Sequence, residues 1–197
     1  MKYEKLYAYL QDDITKKFPS IDLILNMLCS SKEERIDARN CFLSQAPLLR
    51  YHLIDFSDDA DGLSKPLLSK CLKLNDRVVN FLLGIQTVDS SLVSMVHLVN
   101  PQKDWSKVIL EEELKEQLTR LSKEYFGNQD RNWPGFYFCG PYGTGKKSAA
   151  EAFCRELELP LLIVNMRDLM NSPQDFETTI RTLFREGLLQ AAAIYID

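Results

Sequence analysis

Gly140, Gly143, Gly145 and Lys146 stand in the run "FYFCGPYGTGKKSAAEAF" at the spacing glycine, four residues, glycine-lysine. Residues of these types at this spacing suit the capture of a polyphosphate. Several backbone N–H groups must point into one concavity, and glycines permit the backbone angles and the close approach that this requires. A helix opening near Lys146 adds its positive end. The Lys146 ammonium would reach the β- and γ-phosphates of a nucleotide. The expected nucleotide-binding residues are Gly140, Pro141, Tyr142, Gly143, Thr144, Gly145, Lys146, Lys147 and Ser148. One position departs from the pattern. A serine or threonine hydroxyl after the glycine-lysine pair would complete the shell of a magnesium ion. Lys147 stands there, and Ser148 comes one residue late, which is about 100° of rotation on a helix. Lys147 can bring charge to phosphate, but a cation cannot ligate magnesium.

The elements that would position this loop are readable around it. "FYFC" (136–139) is a short apolar strand, and Ala149, Ala150, Phe153 and Leu157 mark one face of a following helix. "PLLIVNM" (160–166) is a buried strand. Residues 175–189 place Phe176, Ile180, Leu183, Phe184 and Leu188 on one helical face, with Asp175 at its start. "AAAIYID" (191–197) is another apolar strand and ends in Asp197. Strands alternating with helices predict an α/β fold with a parallel sheet. An acid at the end of such a strand, facing the phosphate loop, would hold Mg2+ through water, so Asp197 is the expected metal residue.

Upstream, "NPQKDW" (100–105) reads as a linker. After it, "VILEEELKEQLTRLSKEYF" sets Leu110, Leu114, Leu118, Leu121 and Tyr125 at helical spacing, opposite a face of mixed charge. The middle third holds two strand candidates, "LLRYHLIDF" (48–56) and "LLSKCLKL" (67–74), around a polar loop. In "NDRVVNFLLG" (75–84), Asn75 caps a helix, Val78, Val79, Leu82 and Leu83 give it an apolar face, and Gly84 ends it. Two strands, a turn and a helix fit the wing of a winged-helix-like domain. Asp55, Asp58, Asp59 and Asp61 in and beside the loop, against Lys65, would repel a phosphate backbone, so a structural or protein-contact wing is expected. The front 45 residues read as helical. Tyr3, Leu6, Tyr7, Leu10, Ile14 and Phe18 share a face that Pro19 terminates. "SIDLILNMLCSS" is a second helix. Ser31 and Glu34 form the capping box of a third, which runs to about Ser44.

The bulk properties bound the rest. The chain has 197 residues, 45% hydrophobic and 26% charged, with net charge −4, an ordinary globular balance and a poor one for non-specific nucleic-acid binding. Cys29, Cys41, Cys71, Cys139 and Cys154 form no CxxC pair, so reduced thiols rather than a zinc site are expected. The charged start excludes a signal peptide, and no apolar run is long enough to span a bilayer. A cytoplasmic protein is the expectation.

The run "GPYGTGKKSAAEAFCRELELPLLIVNM", followed by "AAAIYID", resembles the AAA+ ATPases over about residues 134–197. Gly140 to Lys146 match the family's Walker A loop and Asp197 its Walker B aspartate. "LLSKCLKLNDRVVNFLLG" ahead of it looks like bacterial members with an N-terminal winged-helix-like domain. The resemblance implies ATP and Mg2+ as ligands, hydrolysis between subunits of a homo-oligomeric ring, and remodelling of a protein or complex. It also implies a glutamate after the Walker B aspartate, a sensor strand, arginine fingers and a helical lid, none of which lies within residues 1–197. The expectation is therefore a P-loop sheet that is partial, in a truncated chain without catalytic residues and without full turnover. Four regions follow: a helical N-terminal region (1–45), a winged-helix-like domain (46–100), a linker with an amphipathic helix (101–133), and the front of an AAA+ domain (134–197). The alternatives are a non-catalytic module that senses nucleotide or docks a partner, and a winged-helix DNA binder.

Overall fold

The computed structural model describes residues 3–57, 65–127 and 135–197, with the backbone only for 121–127. Asp58, Asp59 and Asp61, and the side chains of Leu121 and Tyr125, lie outside the described residues. The chain divides into two units, Met1–Thr87 and Val88–Asp197.

The first unit begins with α1 (Glu4–Leu10), shorter than the helix expected over 3–18. Local polar groups end it. The Gln11 amide donates to the Tyr7 and Phe18 carbonyls at 3.0 Å each. Asp12 takes a positive φ of 49°, and Asp13 accepts from the Thr15 N–H at 2.9 Å, closing a turn. Ile14 is consequently exposed. Ser20 caps α2 (Ile21–Leu28), and Ser31 with Glu34 forms the complete capping box of α3 (Lys32–Arg39). The chain then tightens into a 3-10 turn, Asn40–Phe42, instead of continuing as α-helix to 44. Residues 48–56 are only partly strand. Pro47, at the first helical position, starts the short α4 (Pro47–Arg50), and β1 is confined to Ile54–Phe56. Residues 67–74 likewise split into a 3-10 turn, Leu67–Ser69, and β2 (Leu72–Leu74).

The hairpin itself is present. β1 and β2 pair antiparallel, Ile54 opposite Leu74 and Phe56 opposite Leu72. A bridge between Ser20 and Cys71 adds the chain ahead of α2 to the other side of β2. Ile21, Leu25, Phe42 and Leu72 form one core, with Leu48, Ile54 and Phe56 packed on it, so the front helices and the hairpin share it. α5 (Asp76–Leu82) is capped by Asn75 as expected. It ends in a Schellman turn. Gly84, at φ 73°, donates to the Phe81 carbonyl, and Ile85 donates to that of Asn80. Its expected apolar face is only partly inward: Leu82 and Leu83 are 67% and 69% exposed, while Arg77 is buried. Val78 and Val79 of the same face are half-buried.

The second unit carries a three-stranded sheet in the order β3 (Val96–Val99), β4 (Leu161–Val164), β5 (Ala193–Ile196). β4 and β5 are parallel; β3 is antiparallel to β4. The expected all-parallel sheet is therefore mixed. β3 was not anticipated, although "MVHLVN" has the apolar alternation of a strand. Between Val99 and β4 come the 3-10 turn Trp105–Lys107, α6 (Glu112–Gly127) and α7 (Lys146–Glu156). Leu110 precedes α6, and the side turned inward is not the leucine row alone. Lys115 is buried and pairs with Glu112 at 2.6 Å, whereas Leu114 is largely exposed. Leu118 does pack inward, against the Phe153 cluster.

Between β4 and β5 lie α8 (Met166–Met170), capped by Asn165, and α9 (Phe176–Leu189), capped by Asp175. α9 is rotated from the expected face. Phe176, Phe184 and Leu188 are exposed, and Thr179, Thr182, Leu183, Arg185, Glu186 and Gly187 are buried. Two contacts set that rotation. Arg185 forms a buried ion pair with Asp89, and Gly187 lies where a Cβ would come within 2.9 Å of Ile194 on β5. Leu92, Val96, Leu162, Val164, Leu169 and Leu183 form the core between sheet and helix.

Candidate nucleotide site

The expected strand at 136–139 is not a strand. A strand persists only where its N–H and C=O groups meet a neighbour's, and residues 136–139 belong to no ladder of the described sheet. The two-residue alternation survives nonetheless. Phe136 meets the Phe153 ring edge-on at 5.1 Å, and Phe138 packs with Val108, Ala149 and Ala152, while Tyr137 is exposed. The segment is therefore anchored on α7 by its aromatic side chains and leads directly into the loop.

The loop closes on itself. Gly143 and Gly145 have φ of 83° and 82°, a region that residues with a Cβ rarely enter, and Gly145 is the N-cap of α7. Thr144 Oγ1 donates to the Pro141 carbonyl at 2.9 Å, and a Cβ on Gly140 would sit 3.1 Å from that hydroxyl. Lys146 folds back over the turn: Nζ donates to the Gly140 carbonyl at 3.0 Å and to that of Pro141 at 2.9 Å. The ammonium thus sits at the mouth of the turn, beside the first turn of an 11-residue helix. Tyr142 and Lys147 are exposed. α7 is held beneath by Ala149, Ala150, Ala152, Phe153 and Cys154, all buried; the small residues allow close packing. Burial pushes the Cys154 thiol up to about 11.

Ser148 turns to a different neighbour. Its hydroxyl accepts from Lys103 Nζ at 3.2 Å, and the same ammonium lies 3.2 Å from the Glu151 carboxylate. One turn further along α7, Arg155 donates to the Gln102 carbonyl and lies 3.3 Å from Asp104. The segment read as a linker is thereby fastened along α7, and Trp105 packs beside Phe153 and Val108. Sequence reasoning missed Lys103 and Asp104, because nothing in local spacing announces a contact made 45 residues later.

Asp197 follows β5. Its N–H donates to Val164 and its carbonyl accepts from Met166, so its backbone is tied to the end of β4. Its side chain is exposed and accepts a long contact from the Tyr195 hydroxyl at 3.5 Å. Desolvation first, then the nearby Asp197 charge, raises the Tyr195 pKa. β5 and α7 share one core through Ala193, Tyr195 and Phe153. Among the described residues, no hydrogen bond or ion pair joins Asp197 to residues 140–148. Among the described residues, no three His, Cys, Asp or Glu side chains gather as a metal site.

Residues 1–96 match the family described as "Winged helix domain, variant". Residues 136–197 match "ATPase family associated with various cellular activities (AAA)". The chain is thus similar to a winged helix domain over its front part and to the AAA ATPases over residues 136–197. The AAA match opens at Phe136, the first of the two rings that anchor the loop, and contains the glycine loop, α7, β4 and β5. The winged helix match takes in the front helices together with the β1–β2 hairpin. No curated protein matches the chain. None of the described helices is long and apolar enough to cross a membrane.

Proposed function

We propose that Gly140 to Lys146 bind the polyphosphate of ATP, and that the AAA region couples nucleotide hydrolysis to remodelling of a protein or complex in a ring of subunits. The observation that carries this reading is the Lys146 ammonium, folded over a turn whose αL glycines open into the N-terminus of α7. Phosphate oxygens would replace the Gly140 and Pro141 carbonyls as partners of the ammonium, exchanging neutral acceptors for anionic ones. Lys147 adds a second, exposed cation. The winged helix region is proposed as the partner-docking part, with the hairpin as a protein-contact wing.

Isothermal titration calorimetry with ATP and ADP tests the site. Replacing Lys146 with alanine is expected to weaken binding at least about tenfold, the scale of a lost charge-assisted contact. Equal affinity of Lys146→Ala and the unaltered chain would remove the reading. A second reading, nucleotide sensing without turnover, is favoured by Lys147 at the position of the magnesium-binding hydroxyl. Phosphate release measured beside binding separates the two.

A further inference from the structure

Magnesium is the ion that the AAA family implies beside the nucleotide, and the loop's own residues do not fit direct coordination of it. Three observations bear on this. The position after Lys146 is Lys147, whose side chain is a donor only and carries the ion's own sign. Ser148, the one hydroxyl in the first turn of α7, lies about 100° further round the helix. That hydroxyl is also engaged: Lys103 Nζ donates to it at 3.2 Å. Glu151, 3.2 Å from the same Nζ, and the neighbouring Arg155–Asp104 pair at 3.3 Å keep the 102–105 segment in place along α7, so Ser148 faces that segment. Moving Ser148 into the post of a magnesium ligand would require unwinding the start of α7 and giving up the Lys103 bond. Asp197, exposed at the end of β5, is a single carboxylate that makes no hydrogen bond or ion pair with the loop.

The geometry points to a nucleotide site that replaces the hydroxyl-bound magnesium ion with protein cations: Lys146 at the mouth of the loop and Lys147 beside it neutralise the polyphosphate, while Ser148 is a structural anchor for Lys103. The inference rests on the nucleotide-binding reading above and adds to it that binding depends little on a divalent ion.

The experiment is calorimetry of the full chain with ADP and with ATP, in buffer containing magnesium chloride and in buffer containing EDTA. The two affinities are expected to agree within about threefold. A loss of about tenfold or more in EDTA would overturn the inference while leaving nucleotide binding intact. Binding in neither buffer would overturn both. Lys147→Thr supplies the control. It places a hydroxyl in the ligand position at an exposed site, and magnesium is then expected to improve affinity by about tenfold. If Lys147→Thr binds ADP and remains as indifferent to magnesium as the unaltered chain, the assignment of the missing ligand to position 147 is wrong.

Discussion

At the scale of single residues, the loop glycines and Lys146 were legible because their chemistry is local. Positive φ, a short turn and a helix start depend on residues within six positions of each other. Ser148 was not legible, since its partner Lys103 arrives from a distant part of the chain. Cys139 and Cys154 both sit in apolar company in the sequence, yet packing buries Cys154 and leaves Cys139 exposed. That burial has a pH consequence. The thiol pKa is raised from 9.0 to about 11 in the folded chain. The folded state therefore holds the proton that the unfolded state releases above 9, and the resulting stability is present below pH 9 and lost as pH rises through 11. Tyr195, also raised, acts in the same direction. Denaturant midpoints measured from pH 8 to 11 should fall, and Cys154→Ala should show a shallower fall than the unaltered chain. Parallel curves would contradict the assignment. Below pH 9, a thiol reagent should label the exposed Cys41 and Cys139 well ahead of Cys154.

Elements were legible where a local signal names their ends. Ser31 with Glu34, Asn75 with Gly84, and Asp175 each mark a boundary that the structure keeps within a residue or two. Faces were less legible than ends. α9 has a clean apolar row in sequence, yet it buries Arg185 and Glu186 and exposes Phe184. Hydrophobic spacing cannot announce that Asp89 waits opposite with a charge. Asp89 also accepts from the Ser91 N–H at 2.9 Å, so it fixes the turn leading to β3 as well as holding α9. Both side chains of the Asp89–Arg185 pair are almost fully buried, at 10% and 3% exposure. Removing one partner takes the ion-pair counter-charge from the other in a buried setting. Asp89→Ala should therefore cost about 3–5 kcal/mol. Urea unfolding followed by tryptophan fluorescence would read it, since Trp105 belongs to the second unit. A cost under about 1 kcal/mol would show the pair to be solvated. Replacing both partners with apolar residues of similar volume should recover most of the loss.

At the scale of the whole molecule, charge argues against DNA binding by the part that matches the winged helix model. The chain carries net charge −4. α3, its most polar front helix, interleaves Lys32, Arg35 and Arg39 with Glu33, Glu34 and Asp37, and Arg35 is already paired with Asp22 at 3.0 Å. No stripe of free cations results, and duplex DNA requires one. Fluorescence anisotropy with labelled duplex DNA at low salt should show no binding by the full chain. A salt-sensitive rise would instead support a DNA-binding winged helix.

The sequence by itself determined the glycine loop, the helix that follows it, the apolar segments at 161–164 and 193–196, and the helical front with its hairpin. Each is written in neighbouring residues: turn chemistry, caps and periodicity act over a few positions. Only the tertiary structure decided that 136–139 stays outside the sheet, that 96–99 joins it, and that Ser148 serves Lys103. Strand membership depends on whether another strand supplies hydrogen bonds at its edge, and a hydroxyl's role depends on which side chain reaches it. Both are settled by residues far away in the chain, so no local pattern can carry them.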